Sequence, residues 1–318
     1  LICIYSESLW MMVFGRILQG VGLSAPRTIS IAMLRDSYTV DYMARIMSFI
    51  TVVFILVPII APALGKFVLD NYNWQAIFYL QLVFCILVSW WFWKRQPETL
   101  LENKRVRFTS HIFADGLKEL MKYQKTIGYT FISGFITGSF MVYLSSAQQI
   151  FHNQYNLQEQ FPFIFAGLAI SIGSATFLNG TLVLRFGMER IINTSVISYF
   201  FISLTYIVLF YNTPNPPVFV LLAFFAMQFF AIGFLFGNVR AMAMEPIGHI
   251  AGIGAAITGF ISTMMAVPIS VYIGKFVDQR ALPLFIGFVI CSFLSILIII
   301  YLRLDRKNRE RKILRNLS

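Results

Sequence analysis

The sequence predicts an all-α polytopic membrane protein, on three observations. Apolar residues make up 58% of the chain and charged residues 12%, against about 45–50% and about 25% in soluble domains. The apolar residues gather in runs of about 20, the length that crosses a hydrocarbon core of about 30 Å as a helix. Lys and Arg, two arginines apart, lie in the gaps between runs and in a C-terminal tail. A soluble fold of 318 residues with mean hydropathy +0.73 would expose a large apolar area and aggregate. That excludes an ordinary soluble enzyme, a disulfide scaffold and a disordered chain. The net charge of +11 forms no single patch, so no nucleic-acid partner is expected. Cys3, Cys85 and Cys291 stand in separate apolar runs, and His111, His152 and His249 are far apart. No disulfide, metal or cofactor is expected from them.

Taken in order, residues 1–5 read as the end of a helix already under way. The chain opens inside an apolar run without Met, so a fragment lacking its N-terminus is the expectation. Full spans follow at about 11–34, 44–69, 74–93, 127–150, 161–184, 191–211, 218–240, 250–273 and 282–303. Turns fall at Asn73–Trp74 and at Asn212–Pro217 (NTPNPP). The long gap at 94–126 holds residues 108–123. There Phe108, Ile112, Phe113, Leu117, Leu120 and Met121 recur at helical spacing, which fits a helix on the membrane surface or a solvated linker helix.

The gaps alternate between a basic side and a poor one. Counting Lys and Arg in the gaps gives 20 on the first side and 3 on the second, namely Lys66, Lys275 and Arg280. The first side is assigned to the cytoplasm, and with it the central gap and the C-terminal tail.

Arg16 and Arg27 remain inside the first full span. At 3.6 residues per turn they lie about 20° apart around the axis and about 16 Å apart along it. Gln19 and Gly20 flank the same face. Charge in lipid is costly, so this stripe is expected to face a bundle interior or a water-filled cavity.

Arg16-Ile17-Leu18-Gln19-Gly20-Val21-Gly22 resembles the RxxQGxG motif in the fourth helix of major facilitator drug:proton antiporters. Ala32-Met33-Leu34-Arg35-Asp36 is similar to the end of that helix in the Bcr/CflA-type subgroup. In the next span, residues 57–66 (VPIIAPALGK) resemble the antiporter signature GxxxGPxxGG. Val57, Ala61 and Lys66 stand where that signature has Gly. Residues 74–78 (WQAIF) are similar to the family's WRWIF, and 238–259 to the junction of its tenth and eleventh helices. Residues 278–284 are similar to its DGTxxPL loop, with Gln279 in place of Gly. Leu184 to Arg190 (LRFGMER) is a degenerate echo of the family's GxLxDRxGRR loop, as an internal repeat would leave, and also reads as a basic turn with a Gly cap.

The resemblance implies a twelve-helix plan of two six-helix bundles, of which about nine helices and a stub are present. Residues 1–93 would be the remainder of the N-terminal bundle and 94–126 the central cytoplasmic loop. Residues 127–303 would be the C-terminal bundle and 304–318 a basic cytoplasmic tail. About 80–90 residues would be missing ahead of residue 1. The implied function is proton-driven efflux of small amphipathic compounds or drugs by alternating access, in a monomer of the bacterial inner membrane. Arg16, Gln19, Gly20 and Arg27 would carry transport and coupling. Pro58, Ala61, Pro62 and Gly65 would form a bent, tightly packed antiporter segment. Arg185, Gly187 and Arg190 would form a cytoplasmic gate loop. Polar and aromatic residues of the later spans, Tyr143, Gln148, Gln149, Asn179, Gln228 and Asn238, are the candidates for a substrate cavity.

No Asp or Glu lies deep in any span, so the proton-accepting carboxylate is expected on the absent N-terminal segment. Glu245 and His249 are four apart, but Pro246 and Gly248 lie between them, so a loop with a helix-capping role is expected rather than a metal or proton relay. Gly252, Ala256 and Gly259 have small-residue spacing suited to packing. An uptake transporter of the same fold is the first alternative. A membrane-embedded transferase is the remote one, since no carboxylate or His cluster serves it.

Overall fold

The structure is a computed structural model that describes residues 1–37, 53, 57, 60–98, 111–213, 215–278 and 280–317. Among the described residues every regular element is a helix. They are α1 (Leu9–Ser37), α2 (residues 60–71), α3 (Trp74–Arg95), α4 (His111–Met121) and α5 (Gln124–Gln149), which ends in a π turn, Ile150–Gln154. Then come α6 (Phe161–Phe186), α7 (Met188–Phe210) and α8 (Val218–Met244), which runs into a 3-10 turn, Glu245–Ile250. The series closes with α9 (Ala251–Gly274) and α10 (Leu282–Leu317). By length and composition, seven helices among the described residues can cross a membrane. The span expected at 44–69 lies mostly outside the described residues, and only its end appears, as α2.

Residues 1–5 form a turn rather than the end of a helix, with Ile4 N–H donating to the Leu1 carbonyl at 2.9 Å. Five residues close too few backbone bonds to offset helix nucleation. The turn instead packs onto α1, where a Cβ on Gly15 would meet the Cys3 Sγ at 2.6 Å.

The chain divides into two compact units, Leu1–Arg107 and Phe108–Ser318. In the first, α1 runs unbroken through Pro26, which leaves the Gly22 carbonyl without its usual helical donor. Asn73 caps α3 by accepting from the Ala76 N–H at 3.1 Å. α3 is mostly apolar and buries none of its residues within the unit. Its last turn carries Lys94 and Arg95, favourable at a helix C-terminus, and the Lys94 ammonium sits 4.7 Å from the Trp90 ring centroid.

The second unit is a bundle of α5 to α10. α5 packs along α9, α6 along α8, and α7 along both α8 and α10. Small residues set these approaches. A Cβ on Gly138 would meet Ile269 and Ala266 at 3.1–3.2 Å, and one on Gly233 would meet the Ile172 carbonyl oxygen at 2.6 Å. Hydroxyls stitch the same seams: Ser171 donates to the Ala226 carbonyl at 2.7 Å, and Ser262 to the Thr130 carbonyl at 3.2 Å. The core is aromatic, with Tyr206 stacked on Phe285 and Tyr143 edge-on to Phe229.

α4 occupies the central gap. Gly116 and Leu120 are buried, and a Cβ on Gly116 would meet Ile253 of α9 at 2.5 Å. Phe113, Leu117 and Met121 stay exposed. The helix is therefore docked on the second unit by one stripe and presents a second apolar stripe outward. Charge fixes the dock. Glu119 pairs with Lys122 at 2.7 Å and with His249 at 3.4 Å, while Lys125 pairs with Glu245 at 2.6 Å. Glu245 is the C-cap residue of α8, its N–H donating to the Ala241 carbonyl, and its side chain and that of His249 also pair with Lys125 and Glu119. The 3-10 turn between α8 and α9 turns both side chains toward α4 and α5.

Hydrogen bonding from Lys122, and then the charges of Lys122 and His249, hold the Glu119 carboxyl below its usual range. A depressed carboxylate contributes stability above its unfolded pKa and loses it as pH falls through the lower folded value. Protection of residues 111–121 from hydrogen exchange is expected to hold at neutral pH and to fall below about pH 4. Glu119→Gln should show the acid-like protection already at neutral pH. Equal protection in the two proteins at every pH would remove Glu119 from the dock.

Candidate functional site

In the first unit the polar face of α1 reaches α3. The Arg16 guanidinium donates to the Gln19 Oε1 at 2.9 Å, and the Gln19 amide donates to the Gln81 Oε1 at 3.3 Å. Arg16 also lies over the Phe78 ring, 5.8 Å from its centroid. One cation, two amides and one ring thus form a continuous line across the two helices. Helix spacing explains it: Arg16 and Gln19 are one turn apart on α1, as Phe78 and Gln81 are on α3. Arg16 is exposed in this unit and Gln19 half-buried. Gly20 has no neighbour within 4 Å of a Cβ among the described residues. Arg27 is in α1, but its side chain lies outside the described residues. Pro58 also lies outside them, while Ala61, Pro62 and Gly65 fall in α2. A Cβ on Gly65 would meet nothing within 4 Å among the described residues, so no close approach is seen there.

The six residues nominated for a cavity do not converge. Tyr143 and Gln228 are fully packed. The Tyr143 ring lies 4.6 Å from Phe229 and 5.2 Å from Phe225, and its hydroxyl has no partner among the described residues. The Gln228 amide donates to the Tyr199 carbonyl at 3.3 Å and to the Ser203 hydroxyl. Asn179 and Asn238 form a reciprocal amide pair between α6 and α8, at 3.2 and 2.7 Å. Gln148 and Gln149 are exposed at the end of α5, and Gln149 reaches the Asp278 carboxylate at 3.5 Å.

The Asn pair has a measurable strength. Interhelical hydrogen bonds in membrane bundles average about 0.6 kcal/mol and reach about 1.7 kcal/mol. A double-mutant cycle with Asn179→Leu and Asn238→Leu is expected to give a coupling of about that size, read from thermal unfolding in detergent. Strictly additive effects would mean that the pair contributes nothing as a pair.

The turn between α6 and α7 is a single residue. Gly187, at φ +78°, donates to the Val183 carbonyl at 2.9 Å and starts α7. Only glycine adopts that backbone freely, which is why one residue suffices. Arg185 lies against Phe186, and Arg190 is exposed. Glu189, within the same turn, pairs with Arg306 of α10 at 3.1 Å.

Two features escaped the sequence. The first is a clasp at the opposite end of the unit. The Gln154 amide donates to the Asp278 carbonyl at 3.0 Å, Asn215 donates to the Gln154 Oε1 at 3.1 Å, and the Ala281 N–H donates to the Asn215 Oδ1 at 3.2 Å. The second is the Lys125–Glu245 contact across 120 positions of sequence. Neither has a local signal. The described acids lie at helix ends, in loops, on α4 or, as Asp305 and Glu310 do, in the later half of α10, and no group of three or more His, Cys, Asp and Glu gathers among the described residues.

The profile of the Major Facilitator Superfamily matches residues 1–267. The chain belongs to this superfamily. It is therefore a multi-pass membrane transporter rather than an enzyme. It is 25% identical to a bicyclomycin resistance protein homolog of Haemophilus influenzae over 284 residues, 89% of this chain and 71% of that protein. An uncharacterised MFS-type transporter of Bacillus subtilis, YdgK, is 26% identical over 281 residues, 86% of this chain and 68% of the relative. A shorter match joins it to the multidrug resistance protein MdtL of Escherichia coli, 28% identical over 86 residues, 27% of this chain and 22% of that protein. The Bcr/CflA-type resemblance of the motifs agrees with the first of these.

Proposed function

We propose that this superfamily member exports small amphipathic compounds by alternating access, with proton entry as the driving force. The observation that carries the reading is the line Arg16–Gln19–Gln81 beside Phe78, which joins α1 to α3 through polar side chains. A guanidinium kept at such a place is costly unless it is used. The relatives named for bicyclomycin and multidrug resistance support export and an amphipathic cargo. In this reading the protein lies in the cell membrane with its C-terminus in the cytoplasm. Arg185, Gly187 and Arg190 form the cytoplasmic gate loop, and rocking of the bundles carries the cargo across the membrane. The test uses everted membrane vesicles holding the protein, energised by a proton gradient, with ethidium and bicyclomycin as probes. Uptake into the everted vesicles that an uncoupler abolishes is expected. Flux in the opposite direction would overturn export in favour of uptake, and flux indifferent to the uncoupler would overturn proton drive.

A further inference from the structure

We propose that the second unit carries a binding site for the phosphate headgroup of an anionic glycerophospholipid, at the shared end of α5, α7, α8 and α10. A cavity of about 290 Å³ opens there. Lys122, Lys125, Arg303 and Arg306 line it, together with two acids, Glu189 and Asp305. Its apolar wall is Tyr129, Met242, Ile299 and Leu302. Three of the cations already have carboxylate partners, Lys122 with Glu119, Lys125 with Glu245 and Arg306 with Glu189. Arg303 makes no ion pair among the described residues, so its charge is the one a bound anion would neutralise.

Depth identifies the ligand. Arg303 lies 21 positions beyond Leu282, where α10 begins. At 1.5 Å per residue that is about 32 Å, the thickness of a bilayer's hydrocarbon core. Arg303 and Arg306 therefore stand at headgroup level, and Ile299 lies one turn deeper. A phosphodiester with acyl chains meets both requirements, cations above and an apolar wall below. A soluble phosphate would use only the first. Gln124 also lines the cavity and adds a polar side chain at its rim. The exposed stripe of α4 ends beside Lys122, which continues the apolar surface along the same interface.

The test places the full protein in phosphatidylcholine nanodiscs with rising phosphatidylglycerol and counts retained anionic lipid by native mass spectrometry. Arg303→Gln is expected to weaken retention about tenfold, the loss of one charge-assisted contact. Asp305→Asn should strengthen it, an outcome that a disturbed fold would not give. Lys94→Gln removes one charge from the first unit and should leave retention unchanged. Retention by Arg303→Gln equal to wild type overturns the site, as does an equal loss in Lys94→Gln or a loss in Asp305→Asn. Displacement of the lipid by millimolar glycerol 3-phosphate would keep the phosphate contact but overturn the lipid as its source.

Discussion

Arg16→Ala is expected to lower probe efflux about 10–100-fold while membrane abundance stays unchanged. The guanidinium makes a charge-assisted hydrogen bond to Gln19 and faces the Phe78 ring. Loss of a hydrogen bond to a charged group costs about 1.5–3 kcal/mol, and each 1.36 kcal/mol is tenfold in rate. Arg16 is exposed in its unit, so truncation opens no packed core and insertion should be spared. Arg16→Lys is also expected to transport poorly. An ammonium is a point charge and cannot bond Gln19 and lie flat over a ring in the manner of a planar fork. Gln19→Leu should reproduce part of the defect, because it cuts the link from Arg16 to Gln81. Efflux of ethidium from energised cells and abundance by immunoblot are the two readouts. Wild-type efflux in Arg16→Ala would remove this line from the transport cycle.

How far this was legible in the sequence depends on the range of each interaction. Helices were legible because apolar length and charge placement are local properties: α3 and α5 to α10 all fall on expected spans. The Arg16–Gln19 stripe was legible because one helical turn relates its members. Its partner Gln81 was not, since a glutamine in an apolar run carries no sign of which helix it meets. The cap at Glu245 was legible, but the ion-pair partners of Glu245 and His249 were not, for the same reason. Pro246 and Gly248 speak of a turn, but nothing near them speaks of Glu119 and Lys125. The nominated cavity residues show a further limit. Polarity inside a span marks Tyr143 and Asn179 alike, while packing puts one in an aromatic core and the other in an amide pair. Gly65 drew attention through its motif, yet the described residues leave it open space. Gly233 drew none, and it is the tighter position.

That contrast gives the second large effect. Gly233→Leu is expected to destabilise the second unit strongly, and Gly65→Leu to change stability little. At Gly233 the first added carbon would sit 2.6 Å from the Ile172 carbonyl oxygen and 2.7 Å from the Ala175 Cβ. The first of these is backbone in the middle of α6, so it cannot swing aside as a flexible side chain would. α6 and α8 must separate, and separation stretches the Thr176 to Gly233 carbonyl bond, now 3.3 Å, and the Ser171 to Ala226 bond. It also pulls on the Asn179–Asn238 pair one turn away. Overpacking of this kind costs about 1–3 kcal/mol before those bonds are counted. Substitution at an open surface position stays within about 0.5 kcal/mol. Thermal unfolding of the two variants in the same detergent, followed by loss of the monodisperse peak, reads the difference directly. Gly233→Ala should fall between wild type and Gly233→Leu, because its single methyl already meets the carbonyl. Equal melting of Gly233→Leu and wild type would show that α6 and α8 are not held at this distance. A large loss in Gly65→Leu would show that α2 is packed against a surface that the described residues do not contain.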